Sequence, residues 1–189
     1  MAEPAAPPGA QPSDEELEAR WKAGSAPAFA MLFERYHRRV YGFALRMTGD
    51  AHTAEDIAQR AFLNLYRKPP PGTGRASFKA LLFTVARNEA INEGKRRGRR
   101  KEASLDKSPE AIDGRPAAEE QSARREEAQR VGALVEELPD DEREILLLRQ
   151  VEGLTFREVC ETTGLSRDAV RWRLARAMEH LRQALTRRR

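Results

Sequence analysis

Apolar residues recur at about every third or fourth position along most of the chain, the spacing that places them on one face of a helix. In the first half, this pattern predicts helices that begin near Ser25 and that cover about Ala54–Lys68 and about Ser77–Glu93. Ser13 and Glu16 have the spacing of a capping box for a shorter helix ahead of them. No segment alternates convincingly between apolar and polar residues, so we expect an all-α fold.

A second helical region follows after a break. Its apolar periodicity resumes near Ala123 and continues on either side of Gly164. Pro139-Asp140 marks a turn between two of its predicted helices. Gly164 tolerates the left-handed backbone that ends a helix, and Ser166 is a good N-cap for the next helix. That last helix has one apolar stripe, formed by Val170, Leu174, Ala177 and Leu181. The pattern therefore predicts a helix-turn-helix over residues 155–182.

The segment between the two helical regions lacks apolar periodicity. Lys95–Lys101 contains six basic residues in seven, and residues 102–122 are polar and are broken by Pro and Gly. This composition is typical of a flexible linker. We expect four parts: a disordered tail (1–12), a first domain (13–94), a basic strip and flexible linker (95–122) and a helix-turn-helix domain (123–189).

Charge is segregated within the second domain. Residues 131–163 carry nine acidic residues and three arginines, whereas residues 164–189 carry eight arginines and two acidic residues. The basic part coincides with the second helix of the predicted helix-turn-helix. Arginines on such a helix bind guanine edges or phosphates in the major groove, which favours DNA binding. A solvated basic face without a ligand is the alternative.

The sequence also excludes several classes of function. Cys160 is the only cysteine, which rules out an internal disulfide and fits a reducing cytoplasm. The three histidines lack partners at metal-ligand spacing, so we expect no metal site. We find no Gly-rich phosphate loop and no nucleophile beside a base, and we expect neither a cofactor nor an enzyme. No apolar run approaches the length of a membrane span.

Both domains resemble the extracytoplasmic-function sigma factors, the compact group within the bacterial sigma-70 family. The matching stretches are FERYHRRVYGFALRMTGDAHTAEDIAQRAFLNLYRK and SFKALLFTVARNEAIN in the first domain, and LPDDEREILLLRQVEGLTFREV and GLSRDAVRWRLARAMEHLRQAL in the second. The resemblance implies a sigma2-like four-helix domain and a sigma4-like helix-turn-helix domain joined by a flexible linker. It also implies a non-catalytic subunit that binds RNA polymerase core, directs promoter-specific initiation and is controlled by an anti-sigma factor.

In this family, the helix that matches Ala54–Lys68 binds the clamp coiled coil of the polymerase largest subunit, and the polymerase flap is a further contact. The resemblance carries four core-binding positions to this chain: Asp56, Gln59, Arg60 and Leu63. Arg60 stands where the family commonly has glutamate. It therefore reverses a charge on the surface that is expected to bind the polymerase.

The resemblance also implies that the first domain melts the minus-ten element and captures an unstacked base. Asn88 matches a base-contacting asparagine, and Lys79 and Arg87 are expected to hold phosphates. Leu81 stands where the family usually has tryptophan, which removes one aromatic platform. Lys95–Lys101 is either a phosphate-tracking strip or a solvated charge run.

The second domain is expected to read the minus-thirty-five element. The implied contact residues are Ser166, Arg167, Asp168, Arg171, Arg173 and Arg176. Trp172 is unusual for the family at its position; we expect it to pack in the core, and packing on the sugar-phosphate backbone is the alternative. Two alternative functions are left open by the sequence. One is a dimeric helix-turn-helix regulator that acts without polymerase, and the other is a sigma mimic that occupies the polymerase without promoting initiation.

Overall fold

The computed structural model describes residues 11–69, 76–103 and 130–187. Its helices are α1 (Asp14–Lys22), α2 (Ala26–Thr48), α3 (Ala51–Arg67), α4 (Phe78–Ala103), α5 (130–136), α6 (Asp140–Leu146), α7 (Phe156–Thr163) and α8 (Arg167–Arg187). A π-helical turn, Leu147–Val151, continues α6. The described ranges contain no strand, which confirms the all-α prediction.

The first domain is built around α2, which packs against α1, α3 and α4. Its apolar positions face inward because they recur at helical spacing, and Leu32, Val40 and Phe43 are fully buried. Phe43 meets Phe83 of α4 edge to face, with ring centroids 5.5 Å apart. The arrangement leaves one side of α3 and one side of α4 on the surface of the bundle.

Local signals set the helix ends in this domain. Ser13 and Glu16 form the predicted capping box at the start of α1. Asp50 caps α3 by accepting a hydrogen bond of 2.7 Å from the Thr53 backbone amide. Hydrogen bonds from Thr53, and then the charge of Arg97, hold the pKa of Asp50 below its usual value. The start of α3 is thus tied to α4, which carries Arg97.

α4 is longer than the sequence pattern predicted. It continues to Ala103, so Lys95–Lys101 lies on a helix, whereas we expected this run to begin the linker. Lysine and arginine are good helix formers, and the ion pair between Arg97 and Asp50 (3.1 Å) anchors the extra turns to α3. The rest of the predicted linker, most of the predicted tail and the start of the second domain near Ala123 lie outside the described residues.

The second domain forms the predicted helix-turn-helix. Thr155 and Glu158 make a capping box at the start of α7, and α7 ends at Gly164 with φ of 72°. α8 then packs against α6 and α7. The core consists of fully buried residues from each part of the domain: Ile145, Leu148, Val159, Val170 and Ala177.

The two domains also pack on each other. α7 contacts α4, and α6 contacts α2. Buried apolar residues of both domains belong to one contiguous cluster. The second domain therefore lies over the side of α4 that the first domain leaves on its surface.

We expect Phe83→Ala to lower the free energy of unfolding by about 3–5 kcal/mol, because it empties a fully buried ring position. Phe33→Ala is the matched control, since Phe33 is 37% exposed and should cost about 1 kcal/mol. Chemical denaturation followed by circular dichroism measures both values. Equal losses would contradict the assignment of Phe83 to the core.

Candidate nucleic-acid and partner interfaces

The turn between α7 and α8 presents the first turn of α8 to solvent. Gly164 supplies the left-handed residue, and the Ser166 hydroxyl accepts a hydrogen bond of 3.2 Å from the Ala169 amide. This N-cap satisfies one of the free amides at the helix start. Ser166, Arg167 and Asp168 are all exposed there. Because Val170 and Ala177 fix the buried side of α8, the first turn presents these three residues to solvent at a defined place on the domain.

Arg171 lies next to this turn and is also exposed. Its guanidinium carbon is 5.8 Å from the centre of the Phe156 ring on α7. Arg149 lies 5.0 Å from the same ring. Contacts of this kind orient an arginine without consuming its hydrogen-bond donors. Arg171 can therefore still donate all of its N–H groups to a ligand.

Arg173 and Arg176 point to a different neighbour, the acidic start of α6. Arg173 pairs with Asp141 at 3.3 Å, and Arg176 pairs with Glu142 at 3.1 Å. Glu142 is buried and also contacts His180. The acidic and basic parts of the second domain thus form ion pairs with each other. Two of the six predicted DNA-contact residues, Arg173 and Arg176, connect α8 to α6 in this way.

Trp172 is 57% exposed, so the expectation that it packs in the core is wrong. It lies on the side of α8 opposite Val170 and Ala177, and the Arg176 guanidinium carbon is 5.0 Å from its ring centre. The sequence pattern already indicated that Trp172 is exposed, because this residue does not fall at the helical spacing of the apolar stripe of α8. The alternative expectation for Trp172, packing on the sugar-phosphate backbone, therefore stays a prediction.

The predicted minus-ten residues lie on α4, but only one of them is exposed. Asn88 is exposed and accepts a hydrogen bond of 3.3 Å from the Arg87 guanidinium. Arg87 is also paired with Glu144 of α6. Lys79 donates from its ammonium group to the backbone carbonyl of Gly153 at 3.2 Å. Lys79 and Arg87 are therefore engaged with the second domain.

The predicted polymerase-binding residues share the outer side of α3. Leu63 is 48% exposed, and Gln59 is exposed one turn before it. Arg60 lies 3.4 Å from Asp56 and 3.4 Å from Glu89 of α4. The positive charge of Arg60 is thus balanced by two carboxylates of the same domain.

An apolar groove of about 430 Å³ runs beside these residues between α2 and α3. Its lining residues are Phe29, Phe33, Gln59, Phe62, Leu63 and Tyr66. The predicted contact residues did not include Phe33 and Tyr66, which are 37% and 51% exposed. Both occupy positions of the helical pattern, but only the packing of α2 on α3 shows that they line one groove. Exposed aromatic and aliphatic side chains in a groove favour binding of another protein.

Within the described ranges, no group of three or more His, Cys, Asp or Glu side chains is placed to hold a metal ion. None of the helices in those ranges is long and apolar enough to cross a membrane.

Family models match both helical domains of the chain. Residues 32–100 match the family model Sigma-70 region 2, and residues 128–181 match the family model Sigma-70, region 4. The chain is 31% identical to the RNA polymerase sigma-H factor of Pseudomonas aeruginosa, over 93% of this chain and 95% of that protein. It is 33% identical to the RNA polymerase sigma factor CarQ of Myxococcus xanthus, over 88% of this chain and 94% of that protein.

Solved structures share the fold. The sigma factor RpoE of Bartonella quintana, in complex with the anti-sigma factor NepR, superimposes with a TM-score of 0.71 at 22% identity, over 84% of this chain and 96% of that chain. CnrH, in complex with the cytosolic domain of CnrY, superimposes with a TM-score of 0.66 at 22% identity, over 92% of this chain and 97% of that chain. Both family regions occur here in one helical chain, and the relatives match almost throughout. The chain therefore belongs to the extracytoplasmic-function sigma factors of the sigma-70 family.

Proposed function

We propose that this protein is a dissociable, non-catalytic subunit that binds RNA polymerase core and directs initiation at its own set of promoters. The observation that carries the proposal is the presence of three separate exposed surfaces on one chain of this family: the apolar groove at α3, Asn88 on α4 and the first turn of α8. The polymerase supplies the chemistry. We assign the protein to the cytoplasm, where the enzyme it serves is located.

The start of α8 is the proposed reader of the paired minus-thirty-five element. Ser166, Arg167, Asp168 and Arg171 are exposed there and can reach base edges in a major groove. Arg173 and Arg176 keep 28% and 49% of their side chains exposed, which suits contacts to flanking phosphates. Trp172 adds an apolar surface for a thymine methyl group or a sugar.

α4 is the proposed reader of the melted minus-ten strand. The Asn88 amide is exposed and can hydrogen-bond the Watson–Crick edge of an unstacked base. Lys79 and Arg87 lie on the same helix and are assigned to backbone phosphates. Lys95–Lys101 continues this helix, and we assign this basic run to the strand beyond the captured base.

α3 is the proposed polymerase contact. Leu63 and the groove beside it provide an apolar centre, and Asp56 and Gln59 provide a polar rim, which is the usual composition of a protein interface. Arg60 stays paired with Asp56 and Glu89, so its charge does not oppose docking. The clamp coiled coil of the largest subunit is the assigned partner for this surface, and the flap is assigned to the second domain.

We also infer control by an anti-sigma factor. The RpoE and CnrH structures each contain a second protein, which in the RpoE structure is an anti-sigma factor. The exposed groove at α3 offers such a protein a surface where its binding would exclude polymerase. Competition between the two for this groove would keep the sigma factor inactive until the inhibitor is removed.

In vitro transcription with purified core enzyme and a genomic promoter library tests the function. Promoter-specific transcripts are expected only when core and this protein are both present. Targets bound by a dimer in the absence of core would indicate an ordinary helix-turn-helix regulator. Core binding without transcripts from any promoter would indicate a sigma mimic.

Arg171→Ala in the holoenzyme should weaken binding to a duplex that contains the minus-thirty-five element by about 1–3 kcal/mol, because a base or phosphate contact is lost. Arg182→Ala is the matched control, since Arg182 lies further along α8 and is paired with Glu179. Fluorescence anisotropy with labelled duplex measures both. The same loss in both variants would remove Arg171 from the reading set.

Asn88→Ala should reduce open-complex formation more strongly than closed-complex binding, because the captured base loses its hydrogen bonds. Permanganate reactivity of unpaired thymines reports the open complex, and filter binding at low temperature reports the closed complex. Asn92→Ala, one turn further along α4 and also exposed, serves as the control. Equal loss in the two assays would argue against base capture by Asn88.

Leu63→Ser should weaken binding to polymerase core by about 1–2 kcal/mol, because it removes apolar surface from the centre of the proposed contact. The free energy of unfolding should change little, since the side chain is 48% exposed. Asn64→Ser, its exposed neighbour, is the control. Competition for core against a labelled sigma factor measures the affinity, and an unchanged dissociation constant for Leu63→Ser would exclude this surface.

A further inference from the structure

The side of α4 that holds Lys79 and Arg87 is covered by the second domain of the same chain. The contacts come from α6, α7 and the segment between them. They are hydrogen bonds and ion pairs: Ser77 to Glu158 (2.6 Å), Lys79 to the Gly153 carbonyl (3.2 Å), Thr84 to Thr162 (3.1 Å) and Arg87 to Glu144.

Two buried carboxylates of the second domain depend on partners in the first. Glu144 is paired with Arg87 of α4. The Glu152 side chain is 4% exposed and accepts a hydrogen bond of 3.0 Å from the Arg39 guanidinium, which also binds the Glu152 carbonyl at 2.8 Å. A buried carboxylate without a cation is strongly unfavourable. Each arginine therefore fixes where the second domain docks.

Buried apolar residues of the two domains belong to one cluster, and the polar groups in this contact are ones that water can also satisfy. When the domains separate, the carboxylates, hydroxyls and guanidinium groups regain their hydration, so most of the lost polar interactions are replaced. Burial raises the pKa of Glu152 above its usual value, and the charge of Arg39 offsets part of this rise. An interface of this kind is specific in geometry and modest in strength, as reversible domain contacts are.

We propose that the free protein is self-inhibited: its second domain docks on α4 and occupies Lys79 and Arg87, which must be released before α4 can hold melted DNA. The inference rests on the assignment of α4 in the proposed function. Arg87 cannot neutralise Glu144 and a DNA phosphate in the same geometry. The first turn of α8 stays exposed in the docked state, so the block falls on strand capture.

A reversible cross-link tests the proposal on the full chain. Thr84→Cys and Thr162→Cys are combined in a Cys160→Ser background, since the two hydroxyls are 3.1 Å apart and their replacements can reach each other. The disulfide should form in the free protein, and the oxidised form should give about tenfold less transcription with core than the reduced form. Reductant should restore activity, and the single-cysteine variants should not respond to oxidant.

Two results of this experiment would overturn self-inhibition. One is the absence of a disulfide in the free protein, and the other is full activity of the oxidised form. The proposed function is tested separately by the reduced variant. If the reduced variant and the unaltered chain both fail to initiate with core, the sigma-factor role itself is wrong.

A charge swap supplies a second readout that needs no polymerase. Glu144→Arg places two arginines together, and we expect it to slow disulfide formation about fivefold by favouring the separated domains. Adding Arg87→Glu should restore the rate, because the pair is rebuilt with its charges exchanged. An unchanged rate in Glu144→Arg, or no rescue in the swapped variant, would contradict docking through this pair.

Discussion

Three buried glutamates of the second domain determine how this molecule is arranged. Glu142, Glu144 and Glu152 are each less than a tenth exposed, and each forms an ion pair with an arginine of a different helix. Glu142 binds Arg176 of α8, Glu144 binds Arg87 of α4 and Glu152 binds Arg39 of α2. The first pair holds the helix-turn-helix together. The other two set the position of that unit on the first domain.

Buried ion pairs of this kind contribute specificity more than stability, because the desolvation of both charges offsets much of their attraction. The apolar cores supply the stability of each domain, and the aromatic contacts around Phe29 and Phe78 strengthen the first. The glutamates instead select one docked geometry among many. This division is what the proposed self-inhibition needs, because the docked geometry can be specific while each domain stays folded without it.

The sequence predicted the features that depend on neighbouring residues and missed those that depend on distant ones. The Ser13 capping box and the left-handed turn at Gly164 are local, and both were found from spacing alone. The length of α4 was not, because the pair of Arg97 with Asp50 joins residues far apart in sequence. The pairing of Arg173 and Arg176 with α6 was missed for the same reason, since segregated charge predicts attraction without naming partners. Trp172 was expected in the core but is exposed, although its position outside the apolar stripe of α8 indicated exposure.

The position of the α3 groove constrains what can open the docked arrangement. Phe33, Leu63 and Tyr66 are exposed while the second domain lies on α4, so a protein that binds only this groove meets the same surface in the docked and separated states. A ligand with equal affinity for two states does not change their ratio. The driving force for separation must therefore come from contacts that exist only after opening. Under the proposed self-inhibition, phosphates that replace Glu144 at Arg87 would provide one such contact, and polymerase contacts that hold the second domain away from α4 would provide another.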